Sequence, residues 1–304
     1  MVDTRTDEDT TLHTSRRAFL AATGTLTTAG LAGCTETTSE RTETGGTPTP
    51  SPDTETGTGS TPGGLSLWLH PGSETVDGDG GVETWRDDSG DANDLSQSIR
   101  AWRPSLVEDA VAGYSAVQFD GEDDHLLRED TAGVPNGSAR TFVVVAALSD
   151  TGVRAPIFTQ GEYGSNGAEA NYYGLEANTF GTSGNRFGAF LISYAYDADR
   201  ETDTAYHVHT LRTETFPDRA DIRSTTTYYI DGDQTALSVA AGGETDETEF
   251  AGDATAVGSF PIESPSEVLD GTVAEVRVYD RALTDDERAT VETTLLDQYG
   301  IGSE

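Results

Sequence analysis

The residue types best suited to chemistry gather in a few short stretches of this 304-residue chain. Phe119–Leu126, FDGEDDHL, carries Asp120, Glu122, Asp123 and Asp124 just before an apolar pair. Asp120, Asp123 and Asp124 flank the turn expected at Gly121, and their oxygens are the hard donors that calcium takes. Calcium needs about six to eight oxygens, so backbone carbonyls or a second loop would have to complete its shell. Asp is also an ordinary turn residue. The stretch is therefore a cation site, a catalytic acid pair or a solvated corner, and the solvated corner asks least of the chain. His207 and His209 lie two apart on an expected strand and so share a face, as a zinc pair does. No third ligand is identifiable, and two structural histidines are the simpler reading. Tyr163, Asn166, Asn171, Tyr172, Tyr194 and Tyr196 fall in or near Gly-rich connections, where binding residues concentrate. Their rings could stack on the C–H faces of sugars while the amides pair with hydroxyls; the competing role is to cap a core with each hydroxyl in water. Neither a Ser/His/Asp arrangement nor a phosphate loop is present.

The elements that must position these residues are short strands separated by Gly, Asp and Asn clusters. They are expected at 65–69, 116–119, 141–148, 172–176, 186–194, 206–211, 226–230, 255–258 and 272–280. TFVVVAAL at 141–148 is apolar throughout, so it belongs in the middle of a sheet covered on both faces. TVAEVRVYD at 272–280 alternates, which predicts Ala274, Val276 and Val278 toward the core and Glu275 and Arg277 away from it. Asp231-Gly232 marks a tight hairpin. Thr284-Asp285-Asp286-Glu287 spells a capping box with Thr284 as N-cap. Val291, Leu295 and Tyr299 then share one helical face, and Gly300 supplies the stop.

Composition restricts the setting. The chain has 54 Asp and Glu against 18 basic residues, all Arg, for a formal net charge of −36. So much like charge repels itself in dilute buffer and is tolerated when the Debye length shrinks to about 3 Å near 1 M salt. A Lys-free acidic surface is thus most simply an adaptation to multimolar salt. Nucleic acid and anionic lipid surfaces, which need basic patches, are excluded as partners. The segment Ser15-Arg16-Arg17-Ala18-Phe19-Leu20 precedes an apolar run too short for the roughly 20 residues that span a bilayer. It is similar to a twin-arginine export signal. Leu31-Ala32-Gly33-Cys34 resembles a lipobox, so Cys34, the single Cys, is expected to carry a lipid. Residues 1–33 form the expected signal peptide, and the Thr/Pro/Gly/Glu-rich segment 34–64 an expected disordered stalk. Residues 65–304 then make one all-β domain.

Several quoted pieces occur together: Leu67-Trp68-Leu69, Val82-Glu83-Thr84-Trp85-Arg86-Asp87-Asp88-Ser89-Gly90, SAVQFDGEDDHL, Tyr206-His207-Val208 before Tyr229-Ile230-Asp231-Gly232, and the ending GTVAEVRVYDRALT at 271–284. In order and spacing they resemble the laminin-G-like domains of the concanavalin A-like lectin/glucanase superfamily. The resemblance implies a two-sheet antiparallel jelly-roll sandwich with one C-terminal helix, usually a binding module for glycans or surface proteins, often with calcium. Many relatives have Asp where this chain has Ala274, and in some that position helps bind the ion. Glucanases of this fold use E-x-D-x-x-E, a pattern that Glu244, Asp246 and Glu249 match in letters. A retaining pair needs carboxyls about 5–5.5 Å apart on a rigid element, whereas GGETDETEFAG is a polar loop by composition, so no catalytic residue is assigned. The expectation is a lipid-anchored binding module on the outer face of the cell membrane. It would recognise a glycan or, as the alternative, a surface protein in an adhesive or structural role; a glycoside hydrolase or lyase is the third reading.

Overall fold

The computed structural model describes residues 61–163, 170–179, 181–182, 184–192, 194–215, 222–242, 254–262, 265 and 267–302. Cys34, Arg16, Arg17, nearly all of the expected stalk, Asn166 and the Glu244–Glu249 loop lie outside the described residues. The chain divides into two units, Met1–Glu55 and Thr56–Glu304, and every described residue belongs to the second.

In chain order the strands are β1 (Leu65–Leu69), β2 (Glu74–Val76), β3 (Val82–Trp85), β4 (Leu95–Ser96), β5 (Ser105–Val111), β6 (Tyr114–Asp120), β7 (Leu126–Arg128), β8 (Arg140–Leu148), β9 (Ala155–Tyr163), β10 (Ala170–Ala177), β11 (Arg186–Ile192), β12 (Tyr194–Glu201), β13 (His207–Thr213), β14 (Thr226–Ile230), β15 (Asp233–Thr235), β16 (Leu237–Gly242), β17 (Ala254–Val257) and β18 (Asp270–Tyr279). One sheet runs β15-β14-β13-β8-β18-β6-β5, with β1 also on β18; the other runs β16-β12-β11-β10-β9-β17-β7-β4-β3-β2. Their pairings are antiparallel, and the two sheets form a β-sandwich. A single turn, α1 (Ile222–Thr225), precedes β14, and the long helix α2 (Asp285–Tyr299) follows β18.

Period-two side-chain alternation explains how the layers close. Phe142, Val144, Ala146 and Leu148 of β8 point into the inter-sheet core with Phe158, Tyr173, Leu175, Phe187, Leu211 and Tyr228. Val143 and Val145 face the other way, onto Val291, Leu295 and Tyr299 of α2. The TFVVVAAL strand is therefore covered on both faces, as its composition requires. Helix α2 begins with both halves of the capping box, Thr284 and Glu287, and ends at Gly300 in a left-handed conformation (φ 62°). The alternation expected in β18 needs a correction. A register shift between Val273 and Glu275 puts Ala274 under α2, while Val273 joins Val276 and Val278 in the core. One bulged residue reverses the faces on either side of it.

Candidate functional site

Strand β6 ends at Asp120, and the chain reverses through Gly121 (φ 76°), where an added Cβ would meet the Cβ of Asp270 at 2.8 Å. Asp120 Oδ1 accepts from the backbone N–H of Glu122 (2.8 Å) and of Asp123 (3.3 Å), and Asp124 Oδ2 accepts from that of Asp120 (3.2 Å). One oxygen from each of Asp120, Asp123 and Asp124 falls within a 4.8 Å cluster. Burial, together with the Asp120 charge, pushes the Asp124 carboxyl up to about 7. The structure brings these three carboxylates together, and three oxygens are about half of a calcium shell.

The turn leads directly into a second feature. His125 is buried, its Nδ1 lies 2.9 Å from Asp123 O, and its backbone N–H donates to Trp102 O at 3.2 Å. Its ring packs 5.8 Å from the half-buried ring of Trp102. Both rings line a cleft of ≈ 740 Å³ with Gln97, Ile99, Leu127 and the polar residues Asp94, Ser96, Ser98, Arg128 and Glu129. That volume lies within the roughly 300–1,000 Å³ of small-molecule sites.

Short elements hold this cleft in place. Strands β4 and β7 meet at the pair Ser96–Leu127, which brings residues 94–102 beside 125–129. Leu95 turns into the core, so Ser96 turns out. The chain then passes Ile99 into a 3₁₀ turn, Arg100–Trp102, that presents the indole. Arg103 clamps the turn by donating to Gln97 O (2.9 Å), Asp77 (3.1 Å) and Glu83 (3.0 Å). The Gln97 amide is oriented by its oxygen, which accepts from Ile99 N–H at 2.9 Å, leaving its nitrogen to face His125 Nε2 at 3.0 Å. A ring face, an amide, hydroxyls and carboxylates thus converge on one open groove. The sequence holds one hint of it: Trp102 is a Trp in a polar turn, whereas Trp68 and Trp85 belong to strands.

The aromatic set expected to bind ligand does not form one surface. Tyr172 is buried, stacked on Phe190 at 4.1 Å and packed against Phe260, with its hydroxyl on Glu176 and Arg154. Neither of its faces is open to a sugar. Tyr196 belongs to the inter-sheet core, Tyr194 packs against that core, and Asn171 is buried. Tyr163 ends β9. Tyr172 and Tyr196 sit on opposite sides of the sheet because strand alternation, which the Gly-rich context obscured, separates them.

The two histidines are structural. His207 holds Asp203 through Nε2 (2.8 Å) and Asp231 through Nδ1 (2.6 Å), while His209 Nδ1 lies 2.9 Å from Tyr228 OH. Burial and the neighbouring His207 pull His209 down to about 3. A histidine held neutral in the fold contributes stability above the unfolded value near 6.5, and that contribution is lost as pH falls toward 3. His207 shifts the other way; burial opposes its charge, but its two carboxylates outweigh burial and raise its pKa. Relative to His209→Gln, the protein should lose up to about 1.4 kcal/mol per pH unit below 6.5. Denaturant titrations of the two proteins across this range test it; parallel profiles would refute the assignment.

No family model matches the sequence, and no curated protein matches it. Solved structures do. Trypanosoma rangeli sialidase, as the covalent intermediate with 2,3-difluorosialic acid, superposes with a TM-score of 0.54 at 15% identity, over 83% of this chain and 36% of that one. The same sialidase in complex with sialic acid gives 0.52 at 16%, over 80% and 35%. What is shared is the fold. The chain spans about a third of the sialidases' length. Domain 4 of AbnA, a GH43 extracellular arabinanase from Geobacillus stearothermophilus, in complex with arabinotriose, gives 0.47 at 15%, over 75% of this chain and 97% of that one.

Proposed function

We propose that the sandwich is a carbohydrate-binding module of the laminin-G-like kind, displayed by a salt-adapted cell. In this reading Arg16 and Arg17 direct export, a lipid on Cys34 anchors the chain at the outer face of the membrane, and residues 34–64 form the stalk below the domain at 65–304. The observation that carries the binding role is the cleft around Trp102. An indole face offers an apolar plane to the C–H face of a pyranose, and the flanking hydroxyl, amide and carboxylate groups match the ring hydroxyls. The sialidases with this fold include one solved with sialic acid, a sugar, which supports the class of ligand.

Calcium at Asp120, Asp123 and Asp124 belongs to the same proposal, because His125 joins that turn to the cleft through Asp123 O on one side and Trp102 O on the other. The experiment is electrophoresis through gels containing single polysaccharides, in multimolar KCl, with calcium and with chelator. The protein should be retarded by at least one polymer, and Trp102→Ala should weaken that retardation about tenfold, the equivalent of ~1.4 kcal/mol of stacking, at an unchanged melting temperature. Retention lost on chelation places the ion in the binding state; retention that survives makes the turn a solvated corner. Equal retention of Trp102→Ala would move the site elsewhere, and no retention on any polymer would leave the reading as an adhesive domain with a protein partner.

A further inference from the structure

The charges around the cleft select among sugars, an inference that rests on the carbohydrate reading above. Arg128 is the one guanidinium among the described lining residues, and it is paired with Asp130. Its Nε donates to Asp130, and its Nη1 is aimed at the carbonyl oxygens of Ala92 (3.3 Å) and Asp94 (3.4 Å). His125 turns both ring nitrogens toward the protein. Gln97 Oε1 accepts from Ile99 N–H, which turns the Gln97 nitrogen to His125 Nε2, and His125 Nδ1 lies on Asp123 O. At the mouth stand the exposed carboxylates of Asp94 and Glu129.

An acidic sugar entering this groove would lose water from its carboxylate or sulfate and find in return only a guanidinium already paired with Asp130. It would also stand beside two carboxylates. Strong salt does not lift this exclusion, because screening over about 3 Å at 1 M acts on charges further apart than contact. An uncharged sugar faces no such cost, since hydroxyls can donate to Asp94 and Glu129 and accept from Ser96 and Ser98. We propose that the cleft takes uncharged glycans and excludes uronate, sialate and sulfated ones. Sialic acid, as held by the sialidases of this fold, is then outside its ligand class.

Matched oligosaccharide pairs that differ in the acid group test this directly: β-1,4-linked mannose against mannuronate, and β-1,4-linked glucose against glucuronate. Affinities are measured in multimolar KCl with the intact protein. In any pair that binds, the neutral member should bind at least about tenfold more tightly, and Glu129→Arg should narrow the gap by improving the acidic member. Equal or tighter binding of the acidic member by the unaltered protein would overturn the exclusion while leaving carbohydrate binding intact. A preference that Glu129→Arg does not change would remove the charge argument. Binding of neither member in any pair would remove the carbohydrate reading on which the inference stands.

Discussion

Glu275→Ala should cost about 3–5 kcal/mol, the loss expected when one member of a buried, hydrogen-bonded charge group is removed. Glu275 is 1% exposed, and its two oxygens accept from Trp68 Nε1, Arg277 Nε and Tyr299 OH, each at 2.7 Å, with Gln298 Nε2 at 3.4 Å. One carboxylate thereby ties β1, β18 and α2 together. Truncation leaves the Arg277 guanidinium buried without its partner, stacked 5.3 Å over Trp68, and strands an indole N–H and a phenol. Domains of ordinary stability have roughly 5–15 kcal/mol in total, so the variant should melt roughly 10 °C lower or more. Glu275→Gln keeps the acceptor oxygen on one side and should cost less. Replacing the pair together, Glu275→Leu with Arg277→Met, should recover most of the loss, because no charge is left unpaired. Chemical denaturation in high salt measures all three; a Glu275→Ala cost under about 1 kcal/mol would show that the group holds nothing together.

That carboxylate also marks where sequence reasoning reached its limit. Alternation places Glu275 away from the inter-sheet core, where the structure has it, but nothing in the strand tells that α2 covers that face and buries the carboxylate. The bulge that moves Ala274 under α2 and Val273 into the core leaves no trace in residue type, because Ala fits a strand and a bulge equally well. The strands legible beforehand were those with continuous or alternating apolar residues, such as β8 and β14, and α2 was legible from its capping box. Those that escaped were short or mixed. Strand β4 has two residues and β2 and β7 three each, while β9 contains Pro156 and Gly161. Short edge pieces gain their stability from neighbours, so their own sequence carries little signal. The cleft was hidden for the same reason: the single pair Ser96–Leu127 brings its two halves together from distant parts of the chain. The acidic turn was readable because its four carboxylates, Asp120, Glu122, Asp123 and Asp124, lie together in one short stretch of sequence.

Salt is expected to decide whether the protein folds at all. The 54 Asp and Glu face 18 Arg, so at least two of every three carboxylates lack a guanidinium of their own. Among the described residues, arginines are already engaged, for example Arg154 with Glu176 (3.1 Å) and Glu267 (2.8 Å), Arg103 with Asp77 and Glu83, and Arg281 with Glu287 (2.7 Å). A domain of this length has a radius of gyration of about 18 Å. At about 10 mM ionic strength the Debye length is near 30 Å, so each surface carboxylate repels nearly every other one; at 1 M it is about 3 Å, and only close neighbours interact. Unfolding spreads the charges apart, so low salt favours the open chain. Dialysis from multimolar KCl to about 10 mM should abolish the β-sheet circular dichroism and release the buried Trp85 to solvent, and restoring KCl should reverse both. Sucrose at equal osmolality should fail to replace the salt, because it strengthens burial without screening charge. A melting temperature that stays constant across this range would refute salt adaptation and require another origin for the charge.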